Sequence, residues 1–171
     1  MDKKFTPVCG DKYGISANNT IVLSVSLENL PNEIMIYGNK LVLKPSFHIS
    51  LVCINEIIKK HNVLDSSFRD SVLQDFCEFV EKNDVSLLNF NEEFKFAEEN
   101  DLKTIIILCR VSNLEKFFET INKKYGLNIE YPPTHVTLYS IDGRGIFLTD
   151  TSDIKNLTKP IPNPIGHLLQ F

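Results

Sequence analysis

Residues 47–51 read Phe47-His48-Ile49-Ser50-Leu51, and residues 134–138 read Thr134-His135-Val136-Thr137-Leu138. Each stretch follows a proline and sets an imidazole two positions before a hydroxyl. Side chains alternate faces along a strand, so His48 and Ser50 share one side while Phe47, Ile49 and Leu51 share the other. The same parity gathers His135, Thr137 and Tyr139 opposite Val136 and Leu138. Both stretches therefore read as half-buried strands with an apolar face for a core and a polar face carrying chemistry. The histidines stand 87 positions apart (135 − 48), enough for each to belong to its own half of the fold.

Working outward, Ile21 to Leu27 reads as a strand, and Ile34–Tyr37 with Leu41–Leu43 as a hairpin across Gly38-Asn39-Lys40. The first motif strand runs from Phe47 to Ile54. Residues 55 to 82 turn helical in two pieces, and in the second piece Phe68, Val72, Phe76, Phe79 and Val80 fall on one face. Phe94–Ala97 and Thr104–Val111 read as strands. Ser112-Asn113-Leu114-Glu115 reads as a capping box, with Ser112 accepting from the Glu115 amide. The helix it opens buries Leu114, Phe117, Phe118, Ile121 and Tyr125, and Gly126 stops it. After Pro132-Pro133 comes the second motif strand, Thr134–Ser140. Ile146-Phe147-Leu148 reads as a last strand beyond the Gly143-Arg144-Gly145 turn, and Pro160, Pro162 and Pro164 as an extended tail. Each half thus runs strands and then helix, which predicts an α+β fold of two sheet-and-helix lobes around a central cleft.

Composition narrows the function. The 171 residues are 43% hydrophobic and 23% charged, ordinary for one globular domain, which excludes global disorder and low complexity. With 22 acidic against 18 basic residues the net charge is −4, which argues against an extended grip on duplex DNA or long RNA but leaves room for a small anionic ligand. Cys9, Cys53, Cys77 and Cys109 form no Cys-x-x-Cys pair and fit reduced thiols better than a disulfide frame or a zinc site. Behind Met1-Asp2-Lys3-Lys4 there is no apolar run of the kind a secretory signal needs, and the longest apolar stretch, Ile105–Cys109, is strand-sized. These features predict a soluble, cytoplasmic protein without membrane attachment.

Two imidazoles across a cleft supply a general base and a general acid. Phosphodiester cleavage uses both, because the attacking oxygen must lose a proton and the leaving alkoxide must gain one. Ser50 and Thr137 would donate hydrogen bonds to the non-bridging phosphoryl oxygens, where negative charge concentrates. The scheme needs no metal, and the sequence offers no carboxylate–histidine cluster at metal-ligand spacing. A lone His-x-Ser/Thr is common; the weight rests on two of them, each on an apolar strand and in corresponding places.

These two motifs resemble the signature of the two-histidine (2H) phosphoesterase superfamily, which includes the LigT-like RNA 2′,3′-cyclic phosphodiesterases. The resemblance covers most of the chain in length and order of elements, and in residues is confined to the motifs. It implies one bilobal, pseudo-twofold α+β domain over residues 1–171, with antiparallel sheets lining a central cleft, helices outside, and one His-x-Ser/Thr strand in each lobe. It makes His48 and His135 the catalytic acid/base residues and Ser50 and Thr137 the phosphate-binding hydroxyls, with no metal and no cofactor. It implies a hydrolase of 2′,3′-cyclic phosphates, 2′–5′ oligoadenylate or cyclic dinucleotide signals. The partner expected is a small nucleotide or short oligonucleotide on a monomeric protein. The chain departs from the family pattern at Thr134, where an apolar residue is usual, and at Ser50, where Thr is commoner.

Tyr139, on the face of His135 and Thr137, and Arg144, in the glycine turn, are further candidate substrate contacts. Lys44 and Arg110 stand near the motif strands and can face the cleft or pair with carboxylates. Phe47 and Phe147 can stack a base or pack in the core. His61 belongs to an exposed helix end, and His167, in the tail, takes no role. Two other readings compete: a nucleotide-binding module that sequesters a signal without turnover, and an interaction domain whose histidines are structural.

Overall fold

A computed structural model describes residues 5–166; Lys3, Lys4 and His167 of the sequence reading lie outside the described residues. In chain order the elements are β1 (Thr6–Val8), β2 (Tyr13–Ile15), β3 (Thr20–Val25), β4 (Glu33–Ile36), β5 (Asn39–Leu43), β6 (Phe47–Cys53), α1 (Ile54–Lys60), α2 (Phe68–Val80), β7 (Leu87–Glu99), β8 (Leu102–Val111), α3 (Leu114–Tyr125), β9 (His135–Ser140), α4 (Thr151–Leu157) and β10 (Thr158–Ile161). The fold is α+β, with a large antiparallel sheet and, among the described residues, four helices. None of those helices is long and apolar enough to cross a membrane.

The chain divides into two units, each assembled from three stretches. The first comprises Met1–Ser24, Ser50–Leu87 and Val111–Pro132. In it β1, β2 and β3 pair antiparallel in sequence, and β3 lies beside β6. Gly14 on β2 has no room for a side chain, since a Cβ there would come within 2.8 Å of the Phe5 Cβ. Helices α1, α2 and α3 supply the remainder. Helical spacing brings Phe68, Val72 and Phe76 to one face of α2, and Leu114, Phe117, Phe118 and Ile121 to one face of α3, and all are buried. The Phe76 ring meets Tyr13 and Phe117 edge-on, at 5.2 and 5.3 Å between centroids, the arrangement ring quadrupoles favour.

Two expectations fail in this unit. Cys9 and Cys77 form a disulfide, with Cα atoms 5.1 Å apart, while Cys53 and Cys109 are free. Nothing in the spacing of the cysteines marks that pair, because the β1–β2 turn reaches α2 only in three dimensions. With it the cysteines no longer argue for a reducing compartment. Ser112 does not cap α3. Its hydroxyl donates to the Asp84 carbonyl at 2.7 Å and accepts from the Ser86 amide at 2.9 Å, and the N-cap position falls to Asn113, in left-handed backbone at φ 56°. The capping box loses because the chain crossing at Asp84–Ser86 claims the serine. Gly126 ends α3 as expected, at φ 65°.

The second unit comprises Val25–Ile49, Leu88–Arg110 and Pro133–Phe171. The β4–β5 hairpin turns through Tyr37 and Gly38 at φ 48° and 73°, the doubly positive turn that matches strand twist. The Tyr37 ring meets Phe96 at 5.3 Å and carries the Lys159 ammonium 4.0 Å from its centroid. Strand β9 is central. One edge pairs with β8, and the other is shared by β6 (Ile49↔Val136) and β5 (Val42↔Ser140, Leu43↔Tyr139). Beyond β8 follow β7 and then β10, which places Pro160 on a terminal strand where its missing N–H costs no ladder bond.

Ile146-Phe147-Leu148 is not a strand. The segment is extended and unpaired, with Ile146 and Leu148 buried against Ala97 and Ile106 and Phe147 60% exposed. The alternation read from sequence is real but serves packing onto a sheet, not membership of it. Ile154 and Leu157 of α4 close the same cluster together with Leu102 and Leu108. The Asp150 side chain caps α4 by accepting from the Asp153 amide at 2.8 Å. The Asp150-x-x-Asp153 spacing carried that signal in the sequence.

The division between the units falls within β6, between Ile49 and Ser50. His48 and His135 both belong to the second unit, and Ser50 to the first.

Candidate active site

Strands β6 and β9 run antiparallel in the second unit with Ile49 opposite Val136, both fully buried. Those two residues fix an inner face. One step back on β6 and one step on along β9 set His48 opposite Thr137 on the other face. His135 is then the diagonal neighbour of His48, and such neighbours have Cβ atoms roughly 7–8 Å apart. His48, Thr137 and His135 are each half-buried, so this face is neither sealed nor fully solvated. Ser50 follows His48 by two residues on β6 and is half-buried on the same side of that strand.

The pairing of β9 with β8 adds a β-bulge. Ile105 faces Tyr139 and Ile106 faces Thr137, so Leu138 is an extra residue. The bulge moves Tyr139 off the histidine face. Ile105 and Ile106 point to opposite sides of β8, and so therefore do Tyr139 and Thr137. Tyr139 is fully buried, and its hydroxyl donates to the Pro31 carbonyl at 2.9 Å. Burial pushes its pKa up. The expectation that strand parity carries Tyr139 to the site is thus corrected.

His135 has a defined tautomer. Its Nδ1 lies 2.9 Å from the Pro133 carbonyl oxygen. A carbonyl only accepts, so Nδ1 carries the proton and Nε2 presents a lone pair. Burial holds the His135 pKa below the ordinary value of 6.5, against the opposing effect of that hydrogen bond, and keeps the ring neutral. The peptide that supplies the carbonyl is itself anchored. Thr134 is buried, its hydroxyl donates to the Cys109 carbonyl at 2.7 Å, and its own carbonyl accepts from the Cys109 amide at 3.0 Å. The sequence marked Thr134 only as a departure from pattern and missed Pro133 as a partner. The proline directly before the motif was the available signal, since its ring limits how the preceding backbone can turn.

Arg144 does not join the histidines through any described contact. It is exposed, and its guanidinium pairs with the Asp142 carboxylate two residues away, with Nε donating at 2.8 Å. The Arg144 hydrogen bonds hold Asp142 below the usual carboxylate range. Lys44 is buried, its amide donates to the Leu138 carbonyl at 2.8 Å, and its ammonium donates to the Gly143 carbonyl. It therefore ties the 141–145 turn to the bulged part of β9. Phe47 is half-buried, and His61 terminates α1, its amide donating to the Ile57 carbonyl. Among the described residues no group of three or more His, Cys, Asp or Glu side chains is arranged to hold a metal ion.

Comparison with protein-family models, with curated proteins and with solved structures finds no match.

Proposed function

We propose that this chain is a phosphodiesterase of the two-histidine kind, cleaving a cyclic or 2′–5′ linked nucleotide or short oligonucleotide by general acid/base catalysis without a metal. The observation that carries the reading is the register Ile49↔Val136, which sets His48 across from Thr137 and diagonal to His135 on one half-buried face. The resemblance of the two motifs to the 2H phosphoesterases supports it from the sequence side.

The environment of His135 suggests the base, which leaves the acid to His48. His135 is the base: its Nδ1–H is committed to Pro133, and its neutral Nε2 accepts the proton of the attacking water or hydroxyl as the new O–P bond forms. His48 is the acid and gives a proton to the departing alkoxide as the old P–O bond breaks. Proton exchange with solvent then resets both rings. Thr137, and Ser50 on the strand of His48, donate to the non-bridging oxygens as charge grows on them.

The test is turnover in EDTA on a panel of 2′,3′-cyclic nucleotides, 2′–5′ oligoadenylates and cyclic dinucleotides, read by mass spectrometry. His48→Ala and His135→Ala should each lower kcat by roughly 10²–10⁴ with the circular dichroism spectrum unchanged. No product from any substrate overturns the enzyme. Tight binding without product, retained in a single-histidine variant, would make the protein a nucleotide-sequestering module instead.

A further inference from the structure

The cover over the histidine face ends part-way along β8. On that face Ile106, opposite Thr137, is buried beneath Ile146 and Leu148; Leu108, opposite His135, is half-buried; and Arg110, next in the alternation, is exposed. Ile105, Ile107 and Cys109 on the other face stay buried throughout, so the alternation persists to the end of the strand. Antiparallel counting from Leu108↔His135 makes Arg110, on the adjacent strand, the diagonal neighbour of His135. Among the described residues no carboxylate pairs with Arg110, whereas Arg69 and Arg144 each hold an aspartate.

An exposed guanidinium without a carboxylate, one strand from a neutral imidazole, is a site for an anion, and its fork geometry suits a phosphate. In the strand order β6–β9–β8, Arg110 lies beyond His135 from His48, which places it for a phosphate beside the one bracketed by the two histidines. We infer that Arg110 forms a second phosphate position beside the histidine pair, taking a phosphate adjacent to the one being cleaved. The substrate class is then a short oligonucleotide with at least two phosphates, in preference to a 2′,3′-cyclic mononucleotide. This rests on the phosphodiesterase reading for the first phosphate. For the second it rests on Arg110 alone.

The test compares wild type with Arg110→Gln and Arg110→Lys on two probes, 2′–5′ triadenylate and 2′,3′-cyclic AMP, at several salt concentrations. Arg110 is exposed, so the exchanges leave the core intact. Expected for the glutamine variant is a rise in KM of about tenfold on the trimer, the loss of one charge-assisted hydrogen bond, with kcat within twofold and no change on the cyclic mononucleotide. The slope of log affinity against log salt for the trimer should fall by about 0.7, one phosphate contact on a single strand. The lysine variant should recover the salt slope and only part of the affinity. Equal effects on both probes, or none on the trimer, overturn the inference. Binding of the same probes to His48→Ala protein, read by anisotropy, separates the two failures. Arg110-dependent trimer binding without turnover in wild type sinks the phosphodiesterase and leaves the second phosphate position standing. Absence of trimer binding sinks both.

Discussion

At the scale of single residues, the decisive group is His135, whose neighbours select one protonation state. In the unfolded chain a histidine titrates near 6.5, and in the fold burial sets it lower. Between those two values the unfolded chain binds more protons, so stability falls as pH drops from 6.5 toward the folded value and is flat above 6.5. Urea midpoints measured at pH 7.5 and 5.5 should show this decline in wild type and a smaller one in His135→Asn. The acid limb of the kcat/KM profile should inflect below 6.5 for the same reason. Thr134→Val removes the hydroxyl that anchors the Pro133 peptide on Cys109. Nitrogen NMR of the imidazole should then show a loss of the single Nδ1–H tautomer, with Thr134→Ser restoring it. A variant spectrum identical to wild type would mean that the backbone alone holds the ring. Thr104 is the opposite case. Its hydroxyl is fully buried and finds no partner among the described residues. Thr104→Val should therefore stabilise the fold by about 1 kcal/mol in a denaturant titration.

At the scale of elements, what the sequence displayed and what it concealed divide along a physical line. The motif strands, the two-piece helix before β7, the apolar face of α3 and its glycine stop were all legible, because each is a local periodicity or a local backbone preference. The β9 bulge was not, since an extra residue in one strand is defined only by its partner. Tyr139 was consequently put on the wrong face while His135 and Thr137, on the near side of the bulge, kept their parity. Short pieces such as β1, β2 and α4 carry too few residues to show a period, and Ser112 was claimed by a distant turn. The Cys9–Cys77 bond belongs with these, a link between residues 68 apart in sequence. Closing a loop of that length restricts the unfolded chain by an amount worth about 4 kcal/mol in the chain-entropy account, with native values commonly 2–5. The double variant Cys9→Ser/Cys77→Ser should lose stability in that range in guanidinium titrations. A loss under 0.5 kcal/mol would show that the β1–β2 turn is held on α2 by packing alone.

At the scale of the whole molecule, charge sets the size of what can bind. The chain carries 22 acidic and 18 basic residues, a net charge of −4, so a long strand laid across it gains no net attraction from the protein's overall charge. Proteins that track long nucleic acid gain affinity with each added phosphate and lose it steeply with salt. On the proposed reading, the hydroxyls of the histidine face and Arg110 offer contacts to about two phosphates. The affinity of 2′–5′ oligoadenylates should therefore improve from dimer to trimer and then level off or weaken with further length. Raising salt from about 50 to 200 mM should weaken the trimer modestly. Duplex DNA should give no shift in a mobility assay at physiological salt. Anisotropy measured across oligomers of two to eight nucleotides decides the matter. A monotonic gain with length and a salt slope that steepens with it would reveal an extended basic track, and the small-substrate reading would fall.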